Sequence, residues 1–345
     1  MACRPQSRLI SSHNIDGFFV HLEEELEMIF RFEKIVMVLL IVVLGLVPSF
    51  VFLVNYNAQT INSNIQVGFQ DSSFFEQSAA VVTAFLIKPI YTILALLIFI
   101  FLWKRVEPEL KALKWSMIFF FVGENFCAAN FLFTENHDVY LLEYFHSLGM
   151  VLSFGFASFA LIEGMDRYAV HLTEPDKKCS FATFCRRCIK YEPIACGVQS
   201  FLIFVGIAGA LVALMPLSSE LHLVSYNTTI WGTSYNYSHP IIYQLFEFRY
   251  FPVLASGLFL AAAVILQFGR HNRLHLSKMI FAAAVGTFGF SLFRFIVFHG
   301  YRTNLVWMDF WEEVTEFIFI FGVISVLWFF RRSLFKRESD VAGPA

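Results

Sequence analysis

Long runs of apolar residues alternate along this chain with short polar connections. Eight runs, 34–54, 79–103, 113–134, 140–164, 197–217, 249–268, 277–299 and 308–330, are apolar all round, without the strict alternation of a half-buried strand. A helix needs roughly 20 mainly apolar residues to cross a hydrocarbon slab about 30 Å thick, and these runs are too long for barrel strands. The pattern predicts an all-α integral membrane protein with eight transmembrane helices.

Composition closes off the soluble alternative. Of 345 residues, 57% are hydrophobic and 15% charged, and 44 are Phe; mean hydropathy is +0.63. One water-soluble core has no room for that much apolar surface, so the lipid bilayer is the expected partner. The formal net charge of −2 supplies no field to attract nucleic acid, and no nucleic-acid partner is expected. The sequence names no protein partner.

Basic residues orient the spans. One set of connections holds Lys104, Arg105, Lys111 and Lys114, then Arg167, Lys177, Lys178, Arg186, Arg187 and Lys190, then Arg270, Arg273 and Lys278, with Arg331, Arg332, Lys336 and Arg337 in the tail. The opposite set, 55–78, 135–139, 218–248 and 300–307, holds only Arg302. Both termini are therefore expected in the cytoplasm, in a plasma or bacterial inner membrane, with the first run acting as a signal anchor. Residues 1–33 read either as a cytoplasmic tail with an acidic cluster, Glu23, Glu24, Glu25 and Glu27, or as a segment ahead of a start at Met28.

The same plan occurs twice, in a first four-helix unit at 34–164 and a second at 197–330, joined by a cytoplasmic Cys-rich linker at 165–196 and followed by a tail at 331–345. Span two opens on Lys88-Pro89 and span six on Arg249 with Pro252. Span three carries Met117-Ile118-Phe119 and Val122-Gly123; span seven carries Met279-Ile280-Phe281 and Val285-Gly286. Four spans per half make this a parallel repeat about an axis along the membrane normal.

A charge at mid-membrane costs about 2.5–3.5 kcal/mol on insertion scales, so such residues face the bundle interior and find partners. The outer half and middle of the spans hold Lys88, Glu124, Asn125, Glu143, His146, Arg249, Arg294, His299, Asp309, Glu312, Glu313 and Glu316; the inner half offers little beyond Glu163. A polar interior that opens outward is expected. Glu143 and His146 share one helical face, continued by Met150 and Ser153, and Asp309, Glu312, Glu313 and Glu316 form one stripe on span eight. If the halves pack as the repeat implies, the two stripes face each other.

Three readings follow. Carboxylates, a His and basic groups at a repeat interface suit ion- or proton-coupled transport of a small solute or cation. Glu143-x-x-His146 facing Glu316 is also the ligand grammar of carboxylate metal sites in helical bundles, although the full di-iron pattern wants a second Glu-x-x-His. Ion pairs that only lock helix register, in a scaffold or sensor without turnover, are the third. Transport is the function taken forward; no catalytic residue is assigned.

Cys179, Cys185, Cys188 and Cys196 crowd the central cytoplasmic connection with the spacing C-x5-C-x2-C-x7-C. Four thiolates suit zinc or an iron–sulfur cluster, a second centre for a redox subunit. The intervening Arg186, Arg187 and Lys190 equally suit palmitoylated cysteines on anionic lipid. His271 and His275 make a single His-x-x-x-His, short of the several boxes of membrane desaturases, and read as part of a basic surface connection. No Gly-x-Ser-x-Gly elbow, Walker loop or zinc-protease motif occurs. Asn227-Thr-Thr and Asn236-Tyr-Ser are glycosylation sequons in an outer connection.

Overall fold

The computed structural model describes residues 70–133, 140–171, 197–221, 224–268, 274–329 and 331. All belong to the second of two units, Val51–Ala345. The expected first span at 34–54 and the four linker cysteines lie outside the described residues.

Among the described residues, seven long helices follow in order: α1 Phe74–Phe101, α2 Pro108–Phe133, α3 Tyr140–Met165 running on as a π turn Asp166–Val170, α4 Gly197–Ser218, α5 Ile241–Gln267, α6 Leu274–Tyr301 and α7 Leu305–Phe329. Five of them, α1, α3, α4, α5 and α6, are long and apolar enough to cross a membrane. α2 and α7 are as long and carry four charged residues each, and their outward faces are still apolar: Trp115, Val122 and Leu132 on α2, and Trp311, Ile318, Phe321 and Trp328 on α7, are exposed. Side chains that meet water in a soluble fold would be Lys and Glu; here they are Phe, Ile, Leu and Trp, as a lipid solvent demands.

Packing closes five helices into a ring. α1 packs on α2, α2 on α3, α3 on α6, α6 on α7, and α7 back on α1; α5 lies against α6, and α4 against α5. Two crossings depend on glycine. Gly149 of α3 sits so near Gly123 of α2 that an added Cβ would lie 2.7 Å from its Cα, and a Cβ on Gly286 of α6 would lie 2.5 Å from the backbone nitrogen of Gly155 on α3. In lipid, such small-residue contacts draw helices together by dispersion and not by a hydrophobic driving force.

Proline shapes two helices in the same way. A proline cannot donate to the carbonyl four residues back and its ring crowds that turn. α1 accommodates Pro89 with a π turn at Thr83–Ile87, and α5 accommodates Pro252 with a π turn at Phe246–Tyr250. α1 begins with a capping box: Ser73 Oγ accepts from the Glu76 amide and Glu76 Oε2 accepts from the Ser73 amide at 2.5 Å. Glu76 also accepts from Asn304 Nδ2, which ties the start of α1 to the turn between α6 and α7.

One expectation needs correction. The fold is not wholly helical, because the connection expected at 218–248 folds into an antiparallel hairpin, β1 Val224–Ile230 with β2 Thr233–His239, and the helix expected from 249 begins at Ile241. Tyr and Thr alternate here with Asn and Ser, so the inner face carries hydroxyls between its two aliphatic residues, Val224 and Ile230, and reads as a polar loop. Tyr226 nonetheless packs with Phe248, Phe298, Leu305, Val306 and Met308 at the ends of α5, α6 and α7. A backbone bond from Gln70 N to Asn227 O (3.0 Å) and a bond from the Trp231 amide to Gln77 Oε1 (3.0 Å) fasten the hairpin to the segment that opens α1.

The hairpin turn is Trp231-Gly232, with φ of 48° and 81°. Two left-handed residues in a two-residue loop match the right-handed twist of the strands. Gly232→Ala is expected to destabilise the hairpin by about 1 kcal/mol, since Cβ crowds the carbonyl at positive φ, and faster proteolysis at 230–233 would report it; an unchanged digestion rate would contradict the turn geometry.

Candidate functional site

The five ring helices each place ionisable groups at one level of the bundle. α1 contributes Lys88 and, one turn on, Tyr91; α2 contributes Glu124; α3 contributes Glu143 and His146; α6 contributes Arg294; and α7 contributes Glu312, Glu313 and Glu316. The expected α3 and α7 stripes do meet: single ligand atoms of Glu124, His146 and Glu316 lie within 4.8 Å of one another.

Two cations organise the acids. Lys88 Nζ donates to Glu313 Oε1 at 2.5 Å and reaches Glu124 Oε2 at 2.9 Å, with Cys127 Sγ at 3.4 Å. Arg294 is the second hub: it pairs with Glu312, reaches Glu247 Oε1 at 3.6 Å and Glu143 Oε1 at 4.0 Å, and donates from Nη2 to His146 Nε2 at 3.0 Å. A planar fork of five donors can serve several acceptors at once, which an ammonium cannot do in the same plane.

The contact with Arg294 settles the His146 tautomer. A guanidinium only donates, so Nε2 must accept and the imidazole proton sits on Nδ1, 3.2 Å from the Gly123 carbonyl. Glu124 Oε1 lies 3.4 Å from Nδ1 and, fully buried, makes no hydrogen bond.

Tyr91 is the centre of the acid cluster. Its hydroxyl touches three carboxylates, Glu124 Oε2 at 2.5 Å, Glu316 Oε2 at 2.8 Å, and Glu313. A phenol has one proton to give, so it satisfies one carboxylate; the other two approach an oxygen and need protons of their own to do so.

The chain matches no family model, curated protein or solved structure.

Some expected residues fall elsewhere. Asn125 is exposed, its Nδ2 bonded back to Phe121 O at 2.7 Å. Arg249 holds carbonyls of Pro216 and Ser219 and so pins α5 to the end of α4. His299 is exposed and stacks on Phe295, and His275 is exposed at the start of α6; His271 lies outside the described residues. Toward the opposite end, Glu163 and Asp166 share Lys278 at 2.5 and 2.9 Å, and Glu109 takes Arg167 at 3.1 Å and Tyr168 at 2.8 Å.

Three participants escape a reading of the sequence. Tyr91 is hidden among aromatic residues, although its spacing of three from Lys88 puts both on one face. Glu247 and His239 fall in what reads as a polar connection; they pair at 3.0 Å, both buried, and join Arg294 to the base of the hairpin. Tyr235 and Tyr237 of the hairpin also face this end. Burial first, and then the carboxylates of Asp309 and Glu312, push both phenols well above their usual range, so they stay protonated.

Proposed function

We propose that this is a multi-pass membrane protein that binds protons, or a small cation in their place, at the five-helix carboxylate cluster and couples that binding to movement of a small solute or ion across the bilayer. The observation that carries the reading is Tyr91, one hydroxyl shared by three buried carboxyl groups. At least two of those carboxyls hold protons in that arrangement.

Charge balance leads to the same place. Six glutamates, Glu124, Glu143, Glu247, Glu312, Glu313 and Glu316, stand against two permanent cations, Lys88 and Arg294. Four carboxylates are left over. At about 2.5–3.5 kcal/mol each, four bare charges would cost about 10–14 kcal/mol, comparable with the whole stability of a protein. Register-locking ion pairs would need no such surplus; a group that loads and unloads cations does.

Polar groups continue inward from the cluster. Ser153 is seven residues beyond His146, about 10 Å along α3, and its hydroxyl lies 3.2 Å from that of Ser116. Beyond lies the Glu163–Lys278–Asp166 group. These stepping stones support a route toward the basic, cytoplasmic side, with the outer side reached past the hairpin.

The proposed architecture is eight spans in two parallel repeats with both termini cytoplasmic, in a plasma or bacterial inner membrane. The paired π turns ahead of Pro89 and Pro252, at corresponding places in the two halves, support the duplication.

Metal binding is the second reading, favoured by the approach of Glu124, His146 and Glu316. It requires a rearrangement that protons do not: with Nε2 taken by Arg294 and Nδ1 protonated, His146 has no lone pair to offer until Arg294 swings away. Glu143, offered by the sequence as a ligand beside His146, faces Arg294. Elemental analysis of the purified protein tests this, and an equimolar metal lost in His146→Ala would favour it over the proton reading.

The transport reading is tested with the full chain in liposomes that hold a pH-sensitive dye under an imposed pH gradient. Proton influx is expected for the wild type, with a fall of at least about tenfold in Glu124→Gln and Tyr91→Phe, since each removes a buried proton carrier. Influx no greater than that of empty liposomes, or influx unchanged in both variants, sinks the reading.

A further inference from the structure

We infer that the hairpin is N-glycosylated at Asn236, and not at its sequon partner Asn227. The two asparagines are direct partners in the ladder between β1 and β2. Their side chains stand on the same face about 5 Å apart, which leaves room for one glycan between them. The opposite face, with Tyr226, Tyr235 and His239, turns toward the helices, so the asparagine face is the one that looks away from the bundle.

The two positions differ in what surrounds them. Asn227 is half-buried, its carbonyl accepts from the Gln70 amide at 3.0 Å, and Ser72 Oγ donates to Thr229 O at 2.5 Å two residues on. That edge of the sheet is covered by the segment leading into α1, and a glycan rooted there would meet it. Asn236 is exposed, and β2 has no further strand beside it among the described residues. Its sequon hydroxyl, Ser238, lies on the same face, two residues along the strand.

A glycan at Asn236 also has a structural consequence. An uncovered strand edge is a template for pairing with another chain, and a bulky, solvated sugar beside β2 blocks that approach. The assignment puts the hairpin on the extracytoplasmic side, opposite the basic ends of α1 and α6, and stands apart from the proton reading.

The test is expression of the full chain in a glycosylating eukaryotic cell line, followed by PNGase F digestion and intact-mass measurement. One glycan is expected on the wild type, retained in Asn227→Gln and Ser238→Thr and lost in Asn236→Gln and Ser238→Ala. An unglycosylated wild type, two glycans, or a glycan that disappears with Asn227→Gln overturns the assignment. Asn236 is exposed, so its loss leaves the core intact, and Ser238→Thr separates loss of the acceptor from misfolding.

Discussion

Replacing Arg294 with methionine is expected to lower the stability of the detergent-solubilised protein by about 3–5 kcal/mol, the range for removing one partner of a buried ion pair. Arg294 is 5% exposed and pairs with Glu312, Glu247 and Glu143. Without it His146 Nε2 loses its donor and up to three carboxylates lose their counter-charge. Arg294→Lys should recover only part of the loss, because one ammonium cannot span acceptors on α3, α5 and α7 together. Pairing Arg294→Met with Glu312→Gln should recover more, as the neutral amide no longer needs a cation. Thermal unfolding followed by tryptophan fluorescence reads all three. A melting temperature for Arg294→Met within error of wild type would mean that the guanidinium is solvated and the hub does not exist.

Gly286→Val is expected to be the second most damaging change. The Cβ of any residue there would stand 2.5 Å from Gly155 N and 2.6 Å from Val151 O, both main-chain atoms that cannot rotate aside. α3 and α6 must then separate, at a cost of about 1–3 kcal/mol or more for overpacking. The effect should reach the site: Arg294 is eight residues further along α6, about 12 Å, and its bond to His146 bridges these same two helices. Proton influx should therefore fall together with the melting temperature. Gly257→Ala supplies the contrast, since a Cβ there meets nothing within 4 Å, and at a mid-helix position Ala is favoured over Gly by about 1 kcal/mol. If Gly286→Val behaves like Gly257→Ala, the helices are not in contact at this crossing.

The site was legible in part. Glu143 and His146, and the acids of α7, can be placed on shared helical faces by spacing alone, because 3.6 residues per turn is a local property of the backbone. Lys88, Glu124 and Arg294 were identifiable as intramembrane charges in need of partners, but nothing local says which partner each finds. Asn125 sits beside Glu124 in the chain and faces away from it, since adjacent helical residues point about 100° apart. Tyr91 carries no formal charge and so gave no signal, although it touches as many acids as Arg294 does. Glu247 was hidden for a different reason: its helix begins at Ile241, ahead of the proline expected to mark its outer end, because a π turn absorbs Pro252.

What the sequence by itself determined is the solvent. Transfer of apolar side chains into lipid is close to additive along a chain, so composition and run length alone mark this as a helical membrane protein, with helices near the predicted runs throughout the described residues. Tertiary structure alone decided that five helices close on one another, that a hairpin of hydroxyl-bearing side chains sits over their ends, and that one tyrosine gathers three carboxyl groups. Those outcomes depend on which faces meet. Glycine contacts such as Gly155 with Gly286 and the bond of Arg294 to His146 set that choice, and both join residues more than a hundred positions apart.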